Sequence, residues 1–203
     1  MIKAKNDREK KYKGSEKTRL ELMTKKERIL AALKKEQVDR IPISIWLHYP
    51  HKDQDPRSLA EIQVEFMRKY DLDFIKLMLF GLYSVQDYGC KVKVFGTYNQ
   101  PPIVDDYGVK SIEDWKRIDV LSGNYGTLGK QVQLTQHVSR LLEESKEDVP
   151  FVQTIFSPLT TAFKLAGSRV FADLEENPEI FHQALQNITE TTISFIKENI
   201  NLI

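Results

Sequence analysis

Asp71-Leu72-Asp73-Phe74-Ile75-Lys76-Leu77-Met78-Leu79-Phe80 is a turn built on two aspartates, followed by an apolar run that Lys76 alone interrupts. A run this short and apolar on both faces fits a parallel strand covered on both sides, since alternation appears only where one face meets water. Just upstream, Leu59, Ile62, Phe66 and Met67 recur at helical spacing up to Tyr70. Ser58 and Glu61 stand at capping-box spacing in front of that stripe, each able to accept the other's backbone N–H. A helix that feeds such a strand is half of a strand-helix-strand unit, which sets the class as α/β.

The same grammar extends in both directions. Upstream, Ile41–Leu47 reads as strand 1, with Pro42 near its start where a missing N–H is tolerated. The polar stretch Tyr49–Arg57 then links it to the helix. A further capping box, Thr24 with Glu27, opens a helix whose apolar stripe is Ile29, Leu30 and Leu33. Downstream, Gly81–Pro102 has the loose alternation of a hairpin-like excursion, and Ser111 is placed to cap a short helix through about Ile118. Leu128–Glu147 predicts a long helix with Val132, Leu134, Val138, Leu141 and Leu142 inward. Phe151–Phe156 predicts strand 3, and Thr160–Ala166 a helical segment stopping at Gly167. Asn177-Pro178-Glu179 opens the last helix, with Ile180, Phe181, Leu185, Ile188, Ile193 and Ile196 expected inside.

The expected fold is therefore α/β: the first three to four βα units of a TIM-type (β/α)8 barrel behind a helical N-terminal extension. Residues 1–22 are expected to be a basic, disordered extension and residues 23–203 the amino-terminal part of the barrel, with Met23 as the natural start. Three strands cannot close a ring, and a complete barrel takes about 250 residues. The 203 residues are therefore expected to be a truncated barrel.

Composition narrows the function classes. At 41% hydrophobic and 29% charged, the chain matches a folded globular protein. No apolar run of about 18 residues or signal-peptide pattern is present, so no membrane partner and a cytoplasmic location are expected. Cys90 is the single cysteine, which excludes an internal disulfide and a multi-thiolate zinc site from this chain alone. The net charge of +1 hides a basic head: residues 1–35 hold 13 Lys/Arg against 5 Asp/Glu, leaving 17 against 24 for the rest. That head lacks interleaved aromatics beyond Tyr12, and no nucleic-acid partner is expected.

Three stretches, in order, resemble the uroporphyrinogen decarboxylase superfamily: Lys26–Leu33 running into Asp39-Arg40-Ile41-Pro42-Ile43, Tyr70–Lys76, and Glu176–Phe181 through Ile188-Thr189. The Phe156-Ser157-Pro158-Leu159-Thr160 turn falls in step with them. The resemblance implies an α/β barrel with its site at the carboxyl ends of the strands. It also implies, for decarboxylases, arginines after strand 1, an aspartate after strand 2 and a tyrosine after strand 3. Here strand 1 leads into Trp46-Leu47-His48-Tyr49-Pro50-His51 with no arginine before Arg57, and strand 2 into Met78-Leu79-Phe80-Gly81 with no aspartate. The tyrosine position falls near Phe163 or Lys164. Porphyrinogen decarboxylation is therefore not expected. The superfamily's methyltransferases move a methyl group between a corrinoid and a thiol, with a zinc held by the later half of the barrel. Zinc and a corrinoid are thus implied for full-length relatives and no cofactor for this chain.

The substrate-binding candidates are Trp46, His48, His51, Lys76, Phe80, Ser157 and Thr160, with no catalytic residue assigned. His48 and His51 sit where a barrel presents working residues and could hold a metal or move a proton; with no acidic or cysteine partner at ligand spacing except Asp53 and Asp55, they read as loop histidines. His137 and His182, on predicted helices, read as structural or solvent-facing. Lys76 either enters the mouth, where it could hold an anionic group, or pairs with Asp73, the favoured reading. Ser157 and Thr160 offer hydroxyls, although Ser157 reads first as a helix cap. Trp46 and Phe80 are aromatic walls or core.

The sequence thus predicts a uroporphyrinogen decarboxylase-like protein of tetrapyrrole- or corrinoid-related chemistry, acting on a small molecule once completed. Two alternatives stand beside it. One is a methyltransferase-like half-enzyme completed by a second chain; the other is a non-catalytic remnant that binds a partner or itself through unpaired edges.

Overall fold

The computed structural model describes residues 22–200 and 202, so the basic extension expected over residues 1–22 lies, Leu22 apart, outside the described residues. Helix α1 is Lys25–Leu33 and α2 is Pro56–Lys69, followed by strand β1, Ile75–Leu77. The excursion holds a 3-10 turn at Gln86–Tyr88, β2 at Lys91–Lys93 and β3 at Ile103–Asp106. Then come α3 (Ile112–Trp115), α4 (Gly126–Glu144), β4 (Phe151–Gln153), α5 (Pro158–Ala166), α6 (Arg169–Glu176) and α7 (Pro178–Ile200). β1 and β4 pair in parallel with Ile75 opposite Phe151, while β2 and β3 pair antiparallel across a bulge. Two two-stranded sheets result, and no closed barrel forms among the described residues.

Strand 1, expected over Ile41–Leu47, does not form. The segment runs beside β1, with Asp73 N donating to Ile43 O at 2.8 Å and Ser44 Oγ to Phe74 O at 2.8 Å. No ladder follows. Ile41 is 77% and Trp46 48% exposed, and Ile43, Ile45 and Leu47 are about half exposed, where cover on both faces was expected. A buried parallel strand needs neighbours on each edge and face, and only one neighbour is supplied among the described residues. β1 is short for a different reason: the buried Gln63 amide takes both polar groups of the next residue, with Met78 N donating to Oε1 at 2.7 Å and Nε2 donating to Met78 O at 3.2 Å.

The Thr24–Glu27 capping box is present, with Glu27 N donating to Thr24 Oγ1 at 3.2 Å and Thr24 N to Glu27 Oε2 at 2.8 Å. The face that α1 buries carries Arg28 and Ala31, however, while Leu30 and Leu33 stay exposed. Arg28 turns the helix: its guanidinium donates to Asp39 at 2.6 and 2.7 Å and to Asp73 at 2.5 Å, and all three side chains are nearly solvent-free. α2 starts earlier than its expected Ser58 cap. Asp55 accepts from Ser58 N at 2.9 Å and Pro56 takes the first turn, a stronger start than serine offers alone, while Glu61 pairs with Arg57.

α2 packs along α4, and α7 packs against α3, α4, α5 and α6. The glycine-rich stretch before α4 holds no free anion-binding pocket: Asp87 fills the helix start, accepting from Thr127 N at 2.7 Å and Leu128 N at 3.4 Å. α6 was not expected, because Gly167 and Asn177-Pro178 read as a stop and a start with only a linker between. Asp173 anchors it, buried, by accepting from Trp115 Nε1 at 2.7 Å and from Arg169 at 2.8 Å twice. α7 buries Phe181, Ala184, Ile188, Thr191, Phe195 and Asn199, whereas Ile193 and Ile196, expected inside, are exposed. No described helix is long and apolar enough to cross a membrane.

Candidate functional site

The carboxyl ends of β1 and β4 lie side by side because the two strands are parallel, and residues from four segments gather there. Lys76 rises from β1, Trp46 and His48 come from the segment beside it, Phe156 leaves β4, and Lys164 reaches back from α5. Lys76 Nζ stands 4.2 Å from the centre of the Trp46 ring, and the His48 ring meets Trp46 edge-on at 5.7 Å. Lys164 Nζ stands 4.6 Å from the centre of the Phe156 ring and donates to Gly81 O at 3.0 Å. Phe156 in turn stacks on Tyr83 at 5.2 Å and donates its backbone N–H to the Tyr83 hydroxyl. Burial pushes the Tyr83 phenol up to about 12, so it remains protonated.

The electrostatics of this mouth are one-sided. His48 is held below the ordinary histidine value by desolvation and by the positive charges of Lys76 and Lys164. Burial also lowers Lys164. The expected ion pair between Lys76 and Asp73 does not exist. Asp73 is occupied by Arg28, Arg40 and the Ile43 N–H, so Lys76 turns to the Trp46 face instead.

The remaining expected residues divide. Phe80 is 1% exposed and belongs to the core, so it is no wall of the mouth; its backbone N–H donates to Gln131 at 3.2 Å. Ser157 caps α5, accepting from Thr160 N at 3.1 Å, and its hydroxyl is 2.9 Å from that of Thr160. His51 stands apart from His48, its ring 3.9 Å from that of Tyr98 in the excursion, with Nδ1 buried and unpartnered. Lys164 and Phe156 were not singled out as site residues. A lysine between Phe163 and Leu165 on an amphipathic helix gives no sign that it will fold back onto a strand end.

The described residues do not fit a zinc ion. Among the described residues no group of three or more His, Cys, Asp or Glu is arranged to hold a metal, and Cys90 is buried, its Sγ accepting from Gly108 N at 3.2 Å and standing 3.9 Å from Lys164 O. The crevice beneath Trp46, lined by Ile45, Tyr49, Gln63, Phe66 and Lys76 among others, has a volume of about 10 Å³, room for one water and no cofactor.

The described residues form an α/β protein in which Lys76, Trp46 and Phe156 lie toward the carboxyl ends of a parallel pair of strands. The chain belongs to the uroporphyrinogen decarboxylase (URO-D) family, whose sequence pattern matches residues 24–202. Methylcobamide:CoM methyltransferase MtbA of Methanosarcina acetivorans is 22% identical over 187 residues, covering 86% of this chain and 54% of that protein. The protein of the same name from Methanosarcina mazei is 23% identical over 190 residues, with the same coverage. A solved methyltransferase from Methanosarcina mazei has the same fold over 89% of this chain and 56% of its own length, with a TM-score of 0.66 at 20% identity. The chain spans about half the length of the curated relatives it matches.

Proposed function

We propose that this chain is the amino-terminal part of a TIM-type barrel of the methyltransferase kind, acting on a small molecule at the strand-end mouth once further strands complete it. The observation that carries the reading is the state of the arginines. A decarboxylase of this family needs free guanidinium groups for its substrate's carboxylates. Every arginine among the described residues is instead ion-paired: Arg28 and Arg40 with Asp73, Arg57 with Glu61, Arg68 with Glu147, Arg117 with Asp114, Arg140 with Glu144 and Arg169 with Asp173. Arginine is the residue suited to bidentate carboxylate recognition, and among the described residues none is without a carboxylate partner.

The named relatives, methyltransferases matched over about half their length, support the same direction. Zinc ligands and a corrinoid contact, where the completed protein uses them, come from polypeptide outside these residues. The exposed apolar segment 41–47 and the unpaired outer edge of β4, including half-exposed Val152, are the surfaces such polypeptide would cover. The test is to join the chain to the carboxyl-terminal part of a Methanosarcina methyltransferase and assay thiol-dependent demethylation of methylcobalamin by its absorbance. Turnover is expected. A folded fusion that removes carboxyl groups from a porphyrinogen and leaves methylcobalamin untouched contradicts the reading.

A further inference from the structure

The turn after β1 and the far end of the chain meet around a cavity of about 20 Å³, enough for one water and too small for an organic ligand. Such a space stays dry when its walls are apolar throughout, and a water in it needs about two to four polar partners. Leu128, Ile188 and Phe195 give this one an apolar side, while Ser84, Tyr88, Thr191 and Thr192 bring hydroxyls to it. Ser84 Oγ is buried and has no hydrogen-bond partner among the described residues. Thr191, 4% exposed, accepts from Tyr88 Oη at 2.7 Å and from Leu121 N at 2.8 Å. The Tyr88–Thr191 pair thus has two hydroxyl protons and one hydrogen bond between them, so one proton is left without an acceptor among the described residues. Thr192 Oγ1 spends its proton on Ile188 O at 2.8 Å and keeps its lone pairs. Spare protons and spare lone pairs therefore surround one void, and a buried hydroxyl left unmatched costs its full desolvation.

We propose that this cavity binds one structural water, which accepts from Ser84 and from the Tyr88–Thr191 pair and donates to Thr192. The mixture of spare groups selects the ligand. A cation would leave the protons unmatched and an anion the lone pairs, whereas water serves both at once. The water is a joint between parts of the chain far apart in sequence, the turn at Ser84 and the middle of α7. Tyr83, next to Ser84, accepts the Phe156 N–H, and its ring lies 5.2 Å from that of Phe156 and 5.4 Å from that of Phe195. Phe156 itself lines the cavity, so the joint stands behind the end of β4 and steadies the Phe156 ring that Lys164 covers. A buried, fully matched polar link of this kind fixes one arrangement of α7 against the strand ends, which apolar contacts alone leave free to slide.

The experiment uses the full chain, in a crystal structure fine enough to show ordered water and in thermal unfolding of two variants. A water peak within hydrogen-bond distance of Ser84 Oγ and Thr192 Oγ1 is expected, a readout that needs no variant to fold. The variants give a test of sign. Where a water is held, Ser84→Ala strips it of a partner and lowers Tm by about 2–4 °C; in a dry void the same change removes an unmatched hydroxyl and raises Tm. Thr192→Val should lower Tm similarly, and the double variant should lose less than the sum of the two, because both changes break one bridge. A void without density, a higher Tm in Ser84→Ala, or strictly additive losses would overturn the site.

Discussion

At the scale of single residues, the molecule is organised by where its charges are satisfied. Arg28, Asp39 and Asp73 form a nearly solvent-free cluster that fastens α1 and the segment after it to the start of β1. Removing one member leaves its partners uncompensated, so Arg28→Met should lower the unfolding free energy by about 3–5 kcal/mol in urea titration. The pH dependence follows in sign. Arg28 holds the Asp39 carboxyl well below the usual range, and although burial alone would raise Asp73, the Ile43 N–H, Arg40 and Arg28 outweigh it and lower it too. A carboxyl depressed in the folded state stabilises above its unfolded pKa of about 4 and loses that contribution as pH falls. Stability should therefore decline as pH drops below about 4, and Asp73→Asn should flatten the decline in an acid-titration series. The sequence showed Lys76 as an anomaly and named Asp73 as its partner. It could not show that two arginines from elsewhere had already taken that acid, because competition among charges is settled by tertiary geometry.

Elements were legible wherever a local signal sufficed. The Thr24–Glu27 box, the Ser111 cap and the Asn177-Pro178 start all mark real helices, because caps act within one turn. Misreadings came from long range. The start of α4 is satisfied by Asp87, nearly 40 residues upstream, and nothing local announces it. Asp87→Ala should cost about 1 kcal/mol, measurable as a lowered Tm, by stripping the helix of its cap. Gly123 lies against the backbone of Phe195 in α7 and donates its N–H to Ser194 Oγ at 2.9 Å. A methyl group there meets main chain that cannot move aside, so Gly123→Ala should destabilise by about 1–3 kcal/mol, whereas Gly81→Ala, with open space around it, should not. α6 escaped notice because a helix of eight residues held by a buried Asp173 shows little beyond its own short stripe.

Across the whole molecule, α/β class and family could be read from order and motif, while the extent of strand formation could not. Ile41–Leu47 has the composition of a buried strand, and becoming one depends on neighbours rather than on its own residues. Its isoleucines and Trp46 now face solvent beside a parallel pair of strands only three residues each. A contiguous apolar edge of this kind drives association, and the central claim is that these surfaces exist to be covered by further barrel strands. Sedimentation velocity of the chain over a range of concentrations tests it most directly. Reversible association, weakened by Ile43→Lys with Ile45→Lys, is predicted; a cooperatively folded chain that stays monomeric at every concentration would contradict it.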